Sequence, residues 1–152
     1  MSLPDYVLKG TIKRAVALFK SLTADTGVFN TSITTPKVIS SGINARSVAT
    51  GITASTTQTR VGGTALTKAV NVVSTAANSG DAVTLPALTA GQSVAIYNDG
   101  ANPIKVFPNG ASDQIDAVSA GASVTLTNAL RCEFTCTATN VIKSAKLGAT
   151  ST

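Results

Sequence analysis

The sequence predicts a mainly β protein, an antiparallel β-sandwich or barrel that follows an extended N-terminal arm with a short helix. Threonine, whose branched side chain suits a pleated strand better than a helix, occurs 23 times. From about residue 63, short apolar segments alternate at regular spacing with clusters of turn-forming residues. The chain has no Trp, two Tyr and four Phe, so we expect a thin core of small side chains that gains stability by burial against partners.

The charge divides the chain into two parts. Residues 1–60 carry seven basic and two acidic side chains, whereas residues 61–152 carry five of each. The whole net charge of +5 therefore lies in the first 60 residues. We accordingly divide the chain into a basic N-terminal arm, residues 1–62, and a β domain, residues 63–152.

The arm begins with a candidate helix. Apolar residues recur at helical spacing from Leu8 to Leu22, although a strand through residues 15–19 is the alternative. Residues 23–62 are rich in small polar residues with isolated apolar ones, which predicts short strands or an arm that lies along a neighbouring subunit. The candidate contacts to a larger particle are the basic side chains in and beside the helix, Lys9, Lys13, Arg14 and Lys20.

Seven strands are predicted in the β domain. Apolar and polar residues alternate in several of them, which is typical of an antiparallel sheet with one face on the core. The run Asn98-Asp-Gly100 predicts a tight turn that joins two of these strands into a β-hairpin. The predicted strands cover residues 66–75, 82–85, 93–97, 104–107, 123–127, 131–139 and 141–146.

Several kinds of catalytic site are excluded by composition. The chain has no histidine, so it cannot hold a Ser–His or Cys–His pair, and two cysteines cannot form a four-thiolate zinc site. The only close acidic pair outside the arm is Asp113 and Asp116, which we interpret as loop-shaping residues, with a weak calcium site left open. We therefore expect no enzyme activity, no catalytic residues and no cofactor.

The two cysteines are predicted to be buried and reduced. Cys132 and Cys136 alternate with polar residues as in a strand, which would place them on one face about 13 Å apart. That separation is too large for a disulfide, so we expect two small core residues in a reducing compartment. No signal peptide is visible, and no apolar stretch is long enough to cross a membrane.

Part of the β domain resembles a known module. The runs Gly80-Asp-Ala-Val-Thr-Leu-Pro86, Ala90-Gly-Gln92, Val94-Ala-Ile-Tyr-Asn-Asp-Gly-Ala-Asn-Pro-Ile-Lys-Val-Phe-Pro108 and Ile115-Asp116 resemble a β module of tailed-bacteriophage structural proteins. Such modules occur in head decoration or cement proteins and in tail proteins, and they commonly form trimers.

The resemblance covers roughly residues 62–140. It implies a homotrimer that is assembled in the host cytoplasm, resides in the virion and binds the major capsid protein or another virion protein. It brings no catalytic residues.

The predicted function is that of a capsid decoration or cement protein that stabilises the head shell. The alternative is a tail or fibre component with a receptor- or carbohydrate-binding role. Nucleic-acid binding is disfavoured, because the basic residues of the arm are spread out and not clustered with aromatic ones.

Overall fold

The computed structural model describes residues 46–147, and this part of the chain folds into ten β-strands with no helix. The mainly β prediction is confirmed, and all seven predicted strands are present within a few residues of their predicted bounds. The predicted helix lies outside the described residues. The strands are β1 (Val48–Thr53), β2 (Thr64–Ala65), β3 (Val70–Thr75), β4 (Asp81–Thr84), β5 (Ser93–Asn98), β6 (Ile104–Phe107), β7 (Gln114–Ile115), β8 (Val124–Leu126), β9 (Leu130–Ala138) and β10 (Val141–Leu147).

The strands form two sheets, and the first six strands alternate between them. Sheet A has the order β1-β3-β5-β9-β10-β7, and sheet B has the order β2-β4-β6-β8. We call each pass of the chain through both sheets a rung: β1 and β2 form the first rung, β3 and β4 the second, and β5 and β6 the third. Successive rungs stack with parallel strands, so that Val48 pairs with Val70 and Val70 with Ala95. This stacking is β-solenoid-like.

Antiparallel strands close the stack after the third rung. β8 runs antiparallel to β6 in sheet B, β9 runs antiparallel to β5 in sheet A, and β10 runs antiparallel to β9. The short strand β7 then pairs with the beginning of β10. The first rung, β1 and β2, therefore lies at one end of the stack and the antiparallel strands lie at the other.

The predicted antiparallel sandwich or barrel is wrong. Consecutive strands such as β5 and β6 lie in different sheets, and each pairs with a strand of the preceding rung. Alternating apolar and polar residues indicate which side of a strand faces the core. They do not indicate whether the next strand returns beside it or crosses to the other sheet.

The predicted hairpin at Asn98–Gly100 is wrong for the same reason, because this turn is a corner between the two sheets. The Asn98 carboxamide fixes that corner. Its Oδ1 accepts the Gly100 N–H at 3.2 Å, and its Nδ2 donates to the carbonyls of Asn102 and Leu126 at 3.0 Å. These three hydrogen bonds satisfy the buried carboxamide and hold the corner in place, although β5 and β6 do not pair with each other.

The core lies between the two sheets and consists mostly of Val, Ile, Leu and Ala. Phe134 in β9 is fully buried and is the largest side chain of this core in residues 46–147. All four residues of β4 are buried, as expected for a strand covered on both faces. The acidic residue of β4, Asp81, accepts hydrogen bonds from the backbone N–H and the side-chain amide of Asn78.

Residues 46–62 were predicted to belong to the arm, but part of this segment pairs with the two sheets. β1 pairs with β3, and Ser55 exchanges two backbone hydrogen bonds with Ala82, of 2.9 and 2.7 Å. The Thr84 hydroxyl donates to the carbonyl of Arg60 at 2.7 Å. The predicted boundary at residue 62 therefore does not coincide with an edge of the described structure. The attachment role predicted for the basic arm, residues 1–62, stays a prediction.

Candidate assembly surfaces

The four candidate contacts to a larger particle, Lys9, Lys13, Arg14 and Lys20, lie outside the described residues. Two other basic residues of the predicted arm are described, and both bind their own domain. The Arg46 guanidinium donates to the carbonyl of Ala69 at 2.9 Å and lies 3.3 Å from the Glu133 carboxylate. Arg60 donates to the carbonyl of Asn109 at 2.6 Å. The Arg46–Glu133 pair is partly exposed, so its contribution to stability is small.

The outer face of sheet A, which points away from the core, carries a row of large side chains across four strands. Val72, Tyr97, Arg131 and Leu147 are successive cross-strand neighbours in β3, β5, β9 and β10. The Arg131 guanidinium carbon lies 5.0 Å from the centre of the Tyr97 ring, a cation–π contact. The Arg131 guanidinium therefore has a partner, the Tyr97 ring, on its own face of the sheet.

A second row on the same face is apolar from the β1 edge inward. Val48, Val70 and Ala95 are neighbours in β1, β3 and β5. Two large apolar side chains at the two sides of this face are exposed: Val48 at 55% and Leu147 at 51%. These two separate side chains are the large apolar groups that this face exposes within residues 46–147.

The first rung forms an open end of the stack. Within residues 46–147, β1 and β2 are the last strands of sheets A and B on this side, and no described strand pairs with their outer edges. β1 contains no charged residue and no proline. Val61, in the loop between β1 and β2, is 86% exposed. An uncharged open edge offers unpaired backbone groups to another strand.

The opposite edge of sheet A is protected. β7 pairs with the first two residues of β10, and the Asp116 carboxylate binds the strand two residues further on. This carboxylate accepts the Ser144 N–H at 2.9 Å and the Ser144 hydroxyl at 2.5 Å. β10 also carries Lys143 and Lys146, and lysine on an edge strand disfavours pairing with other strands.

The acidic pair Asp113 and Asp116 flanks β7 and shapes the loop segments on its two sides. Asp113 accepts the Gly110 N–H at 2.8 Å, while Asp116 adopts a positive φ of 53° and binds Ser144. Within residues 46–147 no group of three or more His, Cys, Asp or Glu side chains could hold a metal ion. Both carboxylates already have protein partners, which is the arrangement expected of loop-shaping residues.

Cys132 and Cys136 are both free and buried, which confirms the prediction of burial. Burial raises the pKa of the Cys132 thiol, and a hydrogen bond with Ser144 partly opposes that rise. A thiol with a raised pKa stays protonated near neutral pH and is a poor nucleophile. The two cysteines therefore act as small core residues.

Comparison with known proteins gives no relative. No family model, curated protein or solved structure matches this chain. In residues 46–147 there is also no helix that is long and apolar enough to cross a membrane.

Proposed function

We propose that this protein is a non-enzymatic structural component of a bacteriophage virion, specifically a decoration or cement protein that binds and stabilises the head shell. The observation that carries the proposal is a contrast between two kinds of side chain in residues 46–147: reactive groups have partners within the fold, whereas several apolar groups are exposed. Carboxylates and thiols are engaged within the fold, as at Asp113, Asp116 and Cys132, whereas Val48, Val61 and Leu147 are exposed. A domain of this kind is suited to contact with protein surfaces and not to chemistry on a small molecule.

The resemblance of residues 62–140 to phage structural modules supports the same function from the sequence. In the proposed mechanism, the solenoid-like domain is displayed on the particle and residues 1–45 supply attachment. Lys9, Lys13, Arg14 and Lys20 would be attracted to an acidic shell surface, with the attraction screened over about 10 Å at 0.1 M salt.

Self-assembly is the second part of the proposal, and the state we propose is a homotrimer. The physical reason is the thin core, in which Phe134 is the one aromatic side chain among the buried residues of the described part. A domain with so little large apolar burial gains stability from contact with further copies. Sedimentation equilibrium at micromolar concentration tests this, and a protein that stays monomeric contradicts it.

The attachment is tested by co-sedimentation of the purified full-length protein with phage heads that lack it. We expect saturable binding that weakens as salt is added. Replacing all four candidate residues by Gln should weaken binding at least about tenfold at low salt, because their charge attraction is then least screened.

A matched control removes the same charge from the described domain by replacing four lysines with Gln, and it should bind almost as well as the wild type. If both variants lost the same amount of affinity for the heads, net charge and not the N-terminal segment would drive binding. Absence of any binding by the wild type would contradict the shell-binding function. The four control positions are Lys68, Lys105, Lys143 and Lys146.

The second candidate is a tail or fibre component that binds a receptor or carbohydrate. The observation that favours it is the half-buried Tyr97 on the outer face of sheet A, because sugar sites commonly use an aromatic ring beside polar groups. The Arg131 guanidinium that stacks on this ring could supply hydrogen bonds. Binding of the protein to a glycan array, lost in Tyr97→Ala, would favour this candidate over shell binding.

A further inference from the structure

The two edges of sheet A differ in how they are protected. At the β10 edge, Asp116 occupies the Ser144 N–H and two lysines lie on the strand. At the β1 edge there is neither charge nor proline, although a bulge with Gly51 at a φ of 71° interrupts the ladder to β3. Charged residues and proline keep an edge strand from pairing, and a bulge does so in part, so β1 has less protection than β10. Within residues 46–147, β1 is therefore the edge of sheet A that is better suited to an intermolecular contact.

Backbone groups of β1 are directed toward this edge. The Ser47 carbonyl accepts the Val70 N–H at 2.9 Å, so Ser47 points toward β3. Because successive residues of a strand point their backbone groups to opposite sides, those of Val48 and Thr50 face the open side. They provide N–H donors and carbonyl acceptors that only another extended strand matches well.

The described chain does not cover this edge as it enters β1. Arg46, the residue at which the described structure begins, lies over the outer face of sheet A, where it reaches the Ser93 carbonyl and Glu133. The exposed side chains of Val48 and Val61 both belong to the first rung, and the inward-facing Ile52 is only partly buried. In the described part, two of the three exposed large apolar side chains thus belong to the rung at the open end.

We propose that the open end pairs with the open end of a second copy of this chain, with β1 antiparallel to β1 of that copy across a twofold axis. A twofold axis perpendicular to the sheets would extend both sheets at once, because β1 and β2 end them on the same side. Pairing of β1 with itself brings no charged side chains together, whereas β10 carries two lysines.

The twofold contact is compatible with the proposed trimer only in an assembly of six copies with combined threefold and twofold symmetry. Sedimentation equilibrium of the full-length protein should therefore show a dimer or a hexamer. A monomer, or a trimer that does not associate further, would overturn the inference.

Cross-linking through a single position tests the symmetry of the contact directly. In the full-length Thr50→Cys variant, a short bis-maleimide should give covalent dimers in high yield, because a twofold contact places the same residue of both copies close together. Wild type should give none, since Cys132 and Cys136 are buried. The matched control Thr139→Cys, which carries an exposed residue at the β9–β10 turn, should react with maleimide but remain uncross-linked. A Thr50→Cys protein that reacts but stays monomeric on a denaturing gel would overturn the inference.

A charge placed on the edge should separate the copies. Thr50→Lys should weaken the self-association at least about tenfold, because two lysines would then face each other across the axis. Circular dichroism should show the same β content as the wild type. An unchanged association constant in a folded Thr50→Lys protein would contradict the contact, and if this variant does not fold, the cross-linking result decides.

Discussion

Replacement of Asp116 distinguishes a structural loop residue from a ligand of calcium. Its carboxylate accepts the Ser144 N–H at 2.9 Å and the Ser144 hydroxyl at 2.5 Å, and its backbone has a φ of 53°. Hydrogen bonds to a charged group contribute about 1.5–3 kcal/mol each, and the left-handed backbone conformation costs a residue with a Cβ about 1–2 kcal/mol.

Three variants separate these contributions. Asp116→Asn tolerates the backbone conformation and keeps one acceptor, so we expect it to lower the free energy of unfolding by about 1 kcal/mol. Asp116→Gly loses both hydrogen bonds without backbone strain, and we expect a loss of about 3 kcal/mol. Asp116→Ala should lose about 1 kcal/mol more than Asp116→Gly, because alanine also bears the strain.

The assay is urea unfolding followed by circular dichroism, with midpoints converted to free energies at a common slope. Asp113→Asn is the matched control, because Asp113 accepts a single N–H from Gly110, and it should cost less than about 1 kcal/mol. The reasoning is refuted if all Asp116 variants have the same urea midpoint as the wild type. It is also refuted if calcium raises the wild-type midpoint and this effect disappears in Asp116→Asn.

Four further predictions follow from the core and the turns. Cys132 and Cys136 should react with a thiol reagent only as fast as the protein unfolds, and rapid labelling of the native protein would show that they are accessible. Because burial raises the pKa of Cys132 from its ordinary value of 9.0, its contribution to stability should be complete below that pH. The contribution should be lost as the pH rises toward the pKa of the folded protein, and a Cys132→Ala variant should lack this loss in alkaline unfolding curves. Phe134→Ala should lower the free energy of unfolding by about 3–5 kcal/mol, and a loss below 1 kcal/mol would show that Phe134 is not a central core residue. Ala129→Gly should raise the thermal midpoint slightly, because Ala129 adopts a φ of 57°, whereas a lowered midpoint would contradict strain at this turn.

The sequence predicted the strands of the β domain well because each is short and bounded by turn residues. The strand over residues 104–107 has the predicted bounds, and the burial of Cys132 and Cys136 follows from their alternation with polar neighbours in β9. Each of these features depends on residues that are adjacent in the chain. Local pattern is therefore sufficient to predict them.

The topology could not be predicted in the same way. Whether the chain turns back at Gly100 or crosses to the other sheet depends on the contacts of the Asn98 carboxamide with Asn102 and Leu126, the latter distant in the sequence. β1 was placed in the arm because its composition resembles that of the residues before it, although Val48, Thr50 and Ile52 are all β-branched. The charge boundary near residue 60 reflects the distribution of Lys and Arg, and Arg46 and Arg60 turn out to bind the domain itself.

Electron cryomicroscopy of virions made from the genome that encodes this chain tests the proposed function most directly. We expect density that fits residues 46–147, with its ten strands in two sheets, at symmetry-related positions on the outside of the head. The basic N-terminal segment should be found at the contact with the shell. Virions that lack the protein altogether, although it is abundant in the infected cell, would contradict a structural role in the particle.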